Sequence, residues 1–209
     1  MNYIELSSTL RSHKMYLFTL GDIKNLFPDE KVKTIKNNFI RWLSKRYFVR
    51  LKRGLYEFVE QGGELKIPDL YIASRLYEPS YVSLETALSI YSIIPDIAAA
   101  VTSVTSRPTR TFKNKYGSFF YRTCQKKAFT GYRIMLYEGF KVWIADKEKA
   151  LIDFLYYRSR LGQSLDFDEE RLNKEILKKI NWVKAFHYVK LFNKKTVKLT
   201  KKCEEYVKC

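Results

Sequence analysis

Between Val32 and Phe58 the hydrophobic period of this chain changes from that of a helix to that of a hairpin, with only a few residues in between. Val32, Ile35, Phe39, Trp42 and Leu43 recur at the three-four spacing of an amphipathic helix and fall within an arc of about 100° on its wheel. Opposite that stripe project Lys33, Thr34, Asn37, Arg41, Ser44 and Lys45, and no carboxylate interrupts them. Asp29 and Glu30 are expected where the first turn begins, at the positive end of the helix dipole. In "VRLKRGLYEF", Arg53-Gly54 reads as a tight turn, because glycine takes the positive φ that such a turn requires. Folding the strands back around that pair predicts Leu51 opposite Tyr56, Val49 opposite Phe58 and Arg50 opposite Glu57, with Lys52 and Arg53 at the tip.

What precedes this pair of elements completes a pattern. A first helix is expected around Ile4 to Lys14, a short strand at "YLF", and a short second helix through Leu26 opened by Thr19, with Asp22 three residues on as a capping box with a shorter acid. Helix, strand, helix, basic helix and hairpin is the order of a winged helix-turn-helix, in which the third helix enters the major groove and the wing reaches neighbouring phosphates. In that arrangement Arg41 has the planar fork for guanine O6 and N7, and Asn37 matches adenine N6 and N7. Lys33, Lys45, Lys52 and Arg53 suit phosphates, where they release counterions without reading sequence, and Thr34 suits either. The alternative for each is a solvated basic surface.

Charge is distributed unevenly. Of the net +17, residues 1 to 60 carry +6, residues 61 to 170 carry +2 and residues 171 to 209 carry +9. With 46% hydrophobic and 16% aromatic residues the chain has ample material for packed cores, which argues against disorder throughout. Cys124, Cys203 and Cys209 are odd in number and widely spaced, so they are expected to be reduced thiols of a cytoplasmic protein. Neither His13 nor His187 stands near a cysteine or carboxylate at zinc-ligand spacing, and the longest apolar stretch is broken by Pro95 and Asp96. No cofactor, metal or membrane is expected.

Gly62, Gly63 and Pro68 mark a linker near residues 60 to 67, which gives a DNA-binding domain over 1 to 60 and a second domain over 68 to 209. In the second, "PDLYIASRLY" reads as a helix, and "YVSLETALSIYSI" as a short strand running into a helix after Ser83. "AAAVTSVTS", "GSFFYRTC", "GYRIMLY" and "FKVWIA" then read as strands of a small sheet. "DKEKALIDFLYYRSR" returns to helix with Asp146 as N-cap and Ala150, Leu151, Phe154 and Leu155 along one side. Two or three basic helices follow from about residue 168. The expected class is α+β: a winged helix-turn-helix, then a mixed α/β domain with a basic helical C-terminus.

A winged helix ending in "RGLYEF", followed by "YVSLETAL", "AVTSVTSRPTRTF" and "VWIADKEKALIDFLYYR", resembles the AbiEi-type antitoxins of bacterial type IV toxin-antitoxin systems over about residues 10 to 160. The resemblance implies a repressor that binds double-stranded promoter DNA of its own operon and counteracts a cognate nucleotidyltransferase toxin through the second domain, with direct contact between the two left open. Oligomerisation on DNA is compatible with it. For Ser83, Glu85, Ala87, Glu148 and Lys149 of the shared motifs the expected role is structural, with Glu85 and Glu148 in the first turns of helices.

An enzyme is not expected. "DKEK" places no Lys two residues after Asp146 or Glu148, as a metal-dependent nuclease would require, and no Gly-rich phosphate loop is present. The competing reading is a free-standing winged-helix regulator whose second domain senses a ligand or dimerises. A further one makes the paired lysines 178/179, 194/195 and 201/202 a second nucleic-acid surface, with solubility as its bland counterpart.

Overall fold

The N-terminal helix α1 (Tyr3–Ser12) opens with a reciprocal capping box, Asn2 accepting from the Glu5 amide and Glu5 from the Asn2 amide. Helix α2 (Leu20–Leu26) opens in the same way on Thr19 and Asp22, as the sequence predicts. Between them lies strand β1 (Leu17–Phe18), and after them helix α3 (Val32–Ser44), strand β2 (Phe48–Lys52) and strand β3 (Leu55–Phe58). The strands form an antiparallel sheet in the order β1-β3-β2. Leu6, Leu10, Phe18, Ile23, Ile35, Phe39, Trp42, Phe48 and Phe58 meet in one buried cluster. At its centre Phe48 stacks on Phe39 at 4.9 Å, and Phe18 meets both rings edge-on.

Two local expectations are corrected here. The hairpin pairs Lys52 with Leu55 around Arg53-Gly54, with Gly54 at φ 82°, but a bulge at Leu51 then shifts the register so that Arg50 faces Tyr56 and Val49 faces Glu57. The predicted Leu51–Tyr56, Val49–Phe58 and Arg50–Glu57 pairs therefore do not form; Phe48 faces Phe58 instead. The extra residue lets Phe48, Leu51, Leu55 and Phe58 all reach the interior, which uninterrupted two-residue alternation along β2 could not do. Asp29 and Glu30 precede the N-cap Lys31 and lie outside α3, whose first turn holds no acid; Glu30 pairs with the Met1 amino group.

The structure, a computed structural model, describes residues 1–59, 67–95, 99–160 and 165–208, so most of the expected linker lies outside the described residues. The chain divides into two units, Met1–Pro68 and Asp69–Cys209. In the second, helix α4 (Asp69–Leu76), strand β4 (Ser80–Val82), helix α5 (Leu84–Ile90) and strand β5 (Val101–Thr105) come first. They are followed by β6 (Arg110–Asn114), β7 (Gly117–Thr123), β8 (Tyr132–Tyr137) and β9 (Phe140–Ala145). The six strands make a mixed sheet in the order β6-β7-β5-β4-β9-β8, parallel only at β7-β5 and β4-β9. Strand β6 was not among the predicted elements. It is an edge strand with largely exposed, polar side chains, so it lacks the apolar alternation that marks a buried strand.

Helix α4 and helix α5 take opposite faces of this sheet. Tyr121 donates to the Ala73 carbonyl of α4 at 2.6 Å, whereas Thr102, level with the neighbouring Phe120, donates to Ser83 and is held by Thr86 of α5. Helix α6 (Lys147–Ser159) opens on Asp146, whose Oδ1 accepts from the Lys149 amide at 2.9 Å. It packs against α5 and against α8 (Trp182–Val189) and α9 (Lys194–Lys208); a short α7 (Lys174–Leu177) precedes these. Its predicted one-sided stripe is a correction: every residue from Glu148 to Leu155 is buried. Gly131, at φ 75°, is fixed by this packing, because a Cβ there would meet Tyr188 and Lys149 at under 3 Å.

Candidate nucleic-acid interface

Helix α3 is held by one side only. Ile35, Phe39 and Trp42 are buried, while Lys33, Thr34, Asn37, Arg41 and Lys45 are all exposed. Lys33, Asn37 and Arg41 follow one another at four-residue steps, so their side chains form a row along the helix, flanked by Thr34 and, at the C-cap, Lys45. The entry to the helix is clamped. Lys24 of α2 donates to the carbonyls of Pro28 and Glu30, at 2.5 and 2.9 Å, which fixes the turn between α2 and α3. Arg41 is pre-oriented by a hydrogen bond to Asn38 Oδ1 at 3.0 Å, and Asn38 in turn donates to the Met1 carbonyl. Arg53 is exposed at the hairpin tip and Lys52 half-buried beside it.

A parallel row on the same exposed face consists of Lys36, Ile40 and Ser44, of which the sequence pattern singles out only Ser44. Ile40 is 68% exposed among cations and amides. Its signal was available: it lies out of phase with the core stripe, so its apolar side chain has no interior to enter. Conversely, Val32 falls in the core stripe by its spacing yet is 50% exposed at the helix start.

The "SLETAL" and "EKALIDF" segments of the second unit hold a different kind of site. Lys149 is wholly buried, forms an ion pair with Asp153 one turn on, and donates to the Tyr81 hydroxyl at 2.8 Å. Tyr81 and Ser83 donate to the other Asp153 oxygen at 3.0 and 2.9 Å. Burial, and after it the Asp153 carboxylate, pushes the Tyr81 phenol well above its ordinary pKa, so it remains protonated and bridges lysine to aspartate. Ser83 gives this network the hydroxyl that an N-cap normally turns on its own helix, which leaves α5 without a side-chain cap. Ala87 is buried in α5 and Glu85 sits in its first turn. Glu148 accepts from the Asn181 amide at 3.2 Å, and Lys184 bridges Asp146 and Glu148 at 3.0 and 3.2 Å, tying α8 to the start of α6. Against the lowering effect of burial, those two carboxylates hold the Lys184 ammonium above its ordinary pKa. Ser83, Glu148, Lys149 and Lys184 are each committed to another part of the fold.

Lys178, Lys179, Lys194, Lys195, Lys201 and Lys202 are exposed. Cys124 and Cys203 are free, buried thiols, raised by burial to about 11 and about 12. Among the described residues, no helix is long and apolar enough to cross a membrane, and no three His, Cys, Asp or Glu side chains converge on a metal site. No family model matches the chain, and no curated protein matches it.

Proposed function

We propose that residues 1–59 act as a winged helix-turn-helix that reads double-stranded promoter DNA, and that the chain is an antitoxin of a type IV system. Helix α3 lies in the major groove, with Arg41 and Asn37 on base edges and Thr34 beside them. Lys33, Lys45, Lys52 and Arg53 are on phosphates. The observation that carries this reading is a row of Lys33, Asn37 and Arg41 on a helix face without a carboxylate, followed at once by a hairpin with a cationic tip. Such a face supplies both the counterion release that drives binding and the forked donors that discriminate bases.

The antitoxin half of the proposal rests on the motifs shared with AbiEi-type proteins. In this reading the protein represses its own operon and counteracts a nucleotidyltransferase toxin through residues 69–208, without catalysis of its own. It is supported by the placement of the motif residues Ser83, Glu148 and Lys149 in contacts that hold strands and helices together, which leaves them no reacting partner. The decisive experiment co-expresses the full chain with the nucleotidyltransferase encoded beside it and measures growth, alongside binding of the chain to its own upstream DNA. Rescue of growth, retained when Asn37 and Arg41 are replaced by Ala while preference for the promoter over a scrambled duplex is lost, is the expected result. Promoter binding without rescue from an active toxin would overturn the antitoxin assignment and leave a free-standing regulator.

A further inference from the structure

The second unit contains a cleft of about 590 Å³ between the α5/α6 side of the sheet and those two helices. Its size is that of a small-molecule site. Phe120 and Arg122 stand two residues apart on β7 and so project from one face into it; Phe120 is half-buried and Arg122 exposed. Glu85 of α5, Arg158 of α6 and Arg160 at the α6 C-cap complete the charged lining.

The arginines are not equivalent. Arg158 is committed to the fold: it donates to Glu170 at 2.9 Å, lies 3.9 Å from Glu85, and rests on the Phe154 ring. Among the described residues Arg122 and Arg160 form no ion pair, and the Arg160 guanidinium lies over the Tyr156 ring at 5.6 Å. A ring beneath the plane leaves the edge N–H groups of a guanidinium available, and those are the groups that grip phosphate oxygens in pairs. Two guanidiniums without an ion pair among the described residues, and a half-buried aromatic ring, thus line one cleft. A carboxylate is present as well, able to accept from an amino or hydroxyl group. An inorganic anion would use only the guanidiniums, and an apolar ligand only the rings.

We propose that this cleft binds a nucleoside phosphate, with its phosphates on Arg122 and Arg160, its base against Phe120, and Glu85 accepting from the base or the ribose. The proposal concerns the second unit alone and does not rest on the promoter-binding or antitoxin readings.

The test titrates the full-length protein with N-methylanthraniloyl-labelled ATP at physiological salt and displaces the probe with unlabelled ATP, adenosine and pyrophosphate. Saturable binding is expected, with ATP displacing the probe at least about tenfold better than either fragment, since each fragment keeps only part of the contacts. Arg122→Ala together with Arg160→Ala should weaken binding by about tenfold or more, and Phe120→Leu by about fivefold or more. Lys201→Ala with Lys202→Ala, on exposed residues of α9, is the control for general attraction to so basic a chain and should leave the affinity within about twofold. Unchanged thermal midpoints accompany a valid comparison, and Arg122→Gln alone serves if the double variant does not fold. Absence of saturation, equal losses from the lysine and arginine variants, or displacement by pyrophosphate as effective as by ATP would each overturn the proposal.

Discussion

Helices α3 and α6 are both thirteen residues long and both carry lysine, yet they use charge in opposite ways. Every cation of α3 faces water, because that helix packs against its neighbours along one stripe. In α6 the helices α5, α8 and α9 close over the chain, and Lys149 has no route to solvent. Taking an ammonium out of water costs several kcal/mol, about what an unpaired charge cannot survive, so Lys149 exists there only with Asp153, Tyr81 and Ser83 arranged around it. A lysine that is solvated and unopposed is available to a partner. One that is buried and fully paired is a structural element, whatever motif it belongs to.

The largest effects should come from breaking the two packings, each in its own unit. Asp153→Ala strands Lys149 in the interior and is expected to cost about 3–5 kcal/mol in urea unfolding, because the remaining charge is uncompensated. The companion Phe39→Ala removes the ring that stacks on Phe48 and is expected to cost a similar amount, about 3–5 kcal/mol. Thiol labelling separates the two, since Cys124, Cys203 and Cys209 all belong to the second unit. Asp153→Ala should speed labelling of the buried thiols and Phe39→Ala should not. On the same α3 helix, Ile40→Ala should change stability by no more than about 0.5 kcal/mol, as for other exposed sites. A large loss there would show that Ile40 is covered and would remove it from the proposed DNA face.

Next in size are the effects on the α3 face itself. Replacing Arg41 or Asn37 by Ala is expected to cut discrimination between the promoter and a scrambled duplex by about 1–3 kcal/mol each, read in competition binding. Replacing Lys33, Lys45, Lys52 and Arg53 together should instead lower affinity for both duplexes alike and flatten the slope of log K against log salt by about 3–4. The two variants must give different signatures. Equal loss of preference from both would mean that the face attracts DNA without docking in a fixed register.

Why one helix was legible in the sequence and the other was not follows from the same contrast. A stripe at three-four spacing announces α3, its buried ring residues and its polar row, and capping residues announce where α2 and α6 begin. Lys149 and Asp153 stand four apart, the spacing of an ordinary surface ion pair, and only the unbroken apolar run around them points inward. Tyr81 and Ser83 come from β4 and the turn after it, about seventy positions upstream, a juxtaposition no local pattern records. The hairpin shows the limit at short range: its turn was readable from Arg53-Gly54, but the bulge at Leu51 depends on which apolar residues the core can accept. Strand β6 was lost for want of an apolar face, and the Arg122–Arg160 cleft because its residues come from separate elements.

The smallest expected effect probes how well the second unit excludes water from the buried face of α9. Burial raises the Cys203 thiol from about 9 to about 12, so the folded chain holds a proton that the unfolded chain releases first. The stability this contributes is fully present below about pH 9 and is lost as pH rises from there toward 12. Comparing wild type with Cys203→Ala in urea at pH 8 and pH 10 isolates the term, because the other alkaline titrations are common to both chains. The advantage of wild type should narrow by about 1 kcal/mol between the two pH values. A gap that stays constant would mean the thiol ionises as readily in the folded chain as in the unfolded one, and that water reaches the buried face of α9 as it reaches the exposed face of α3.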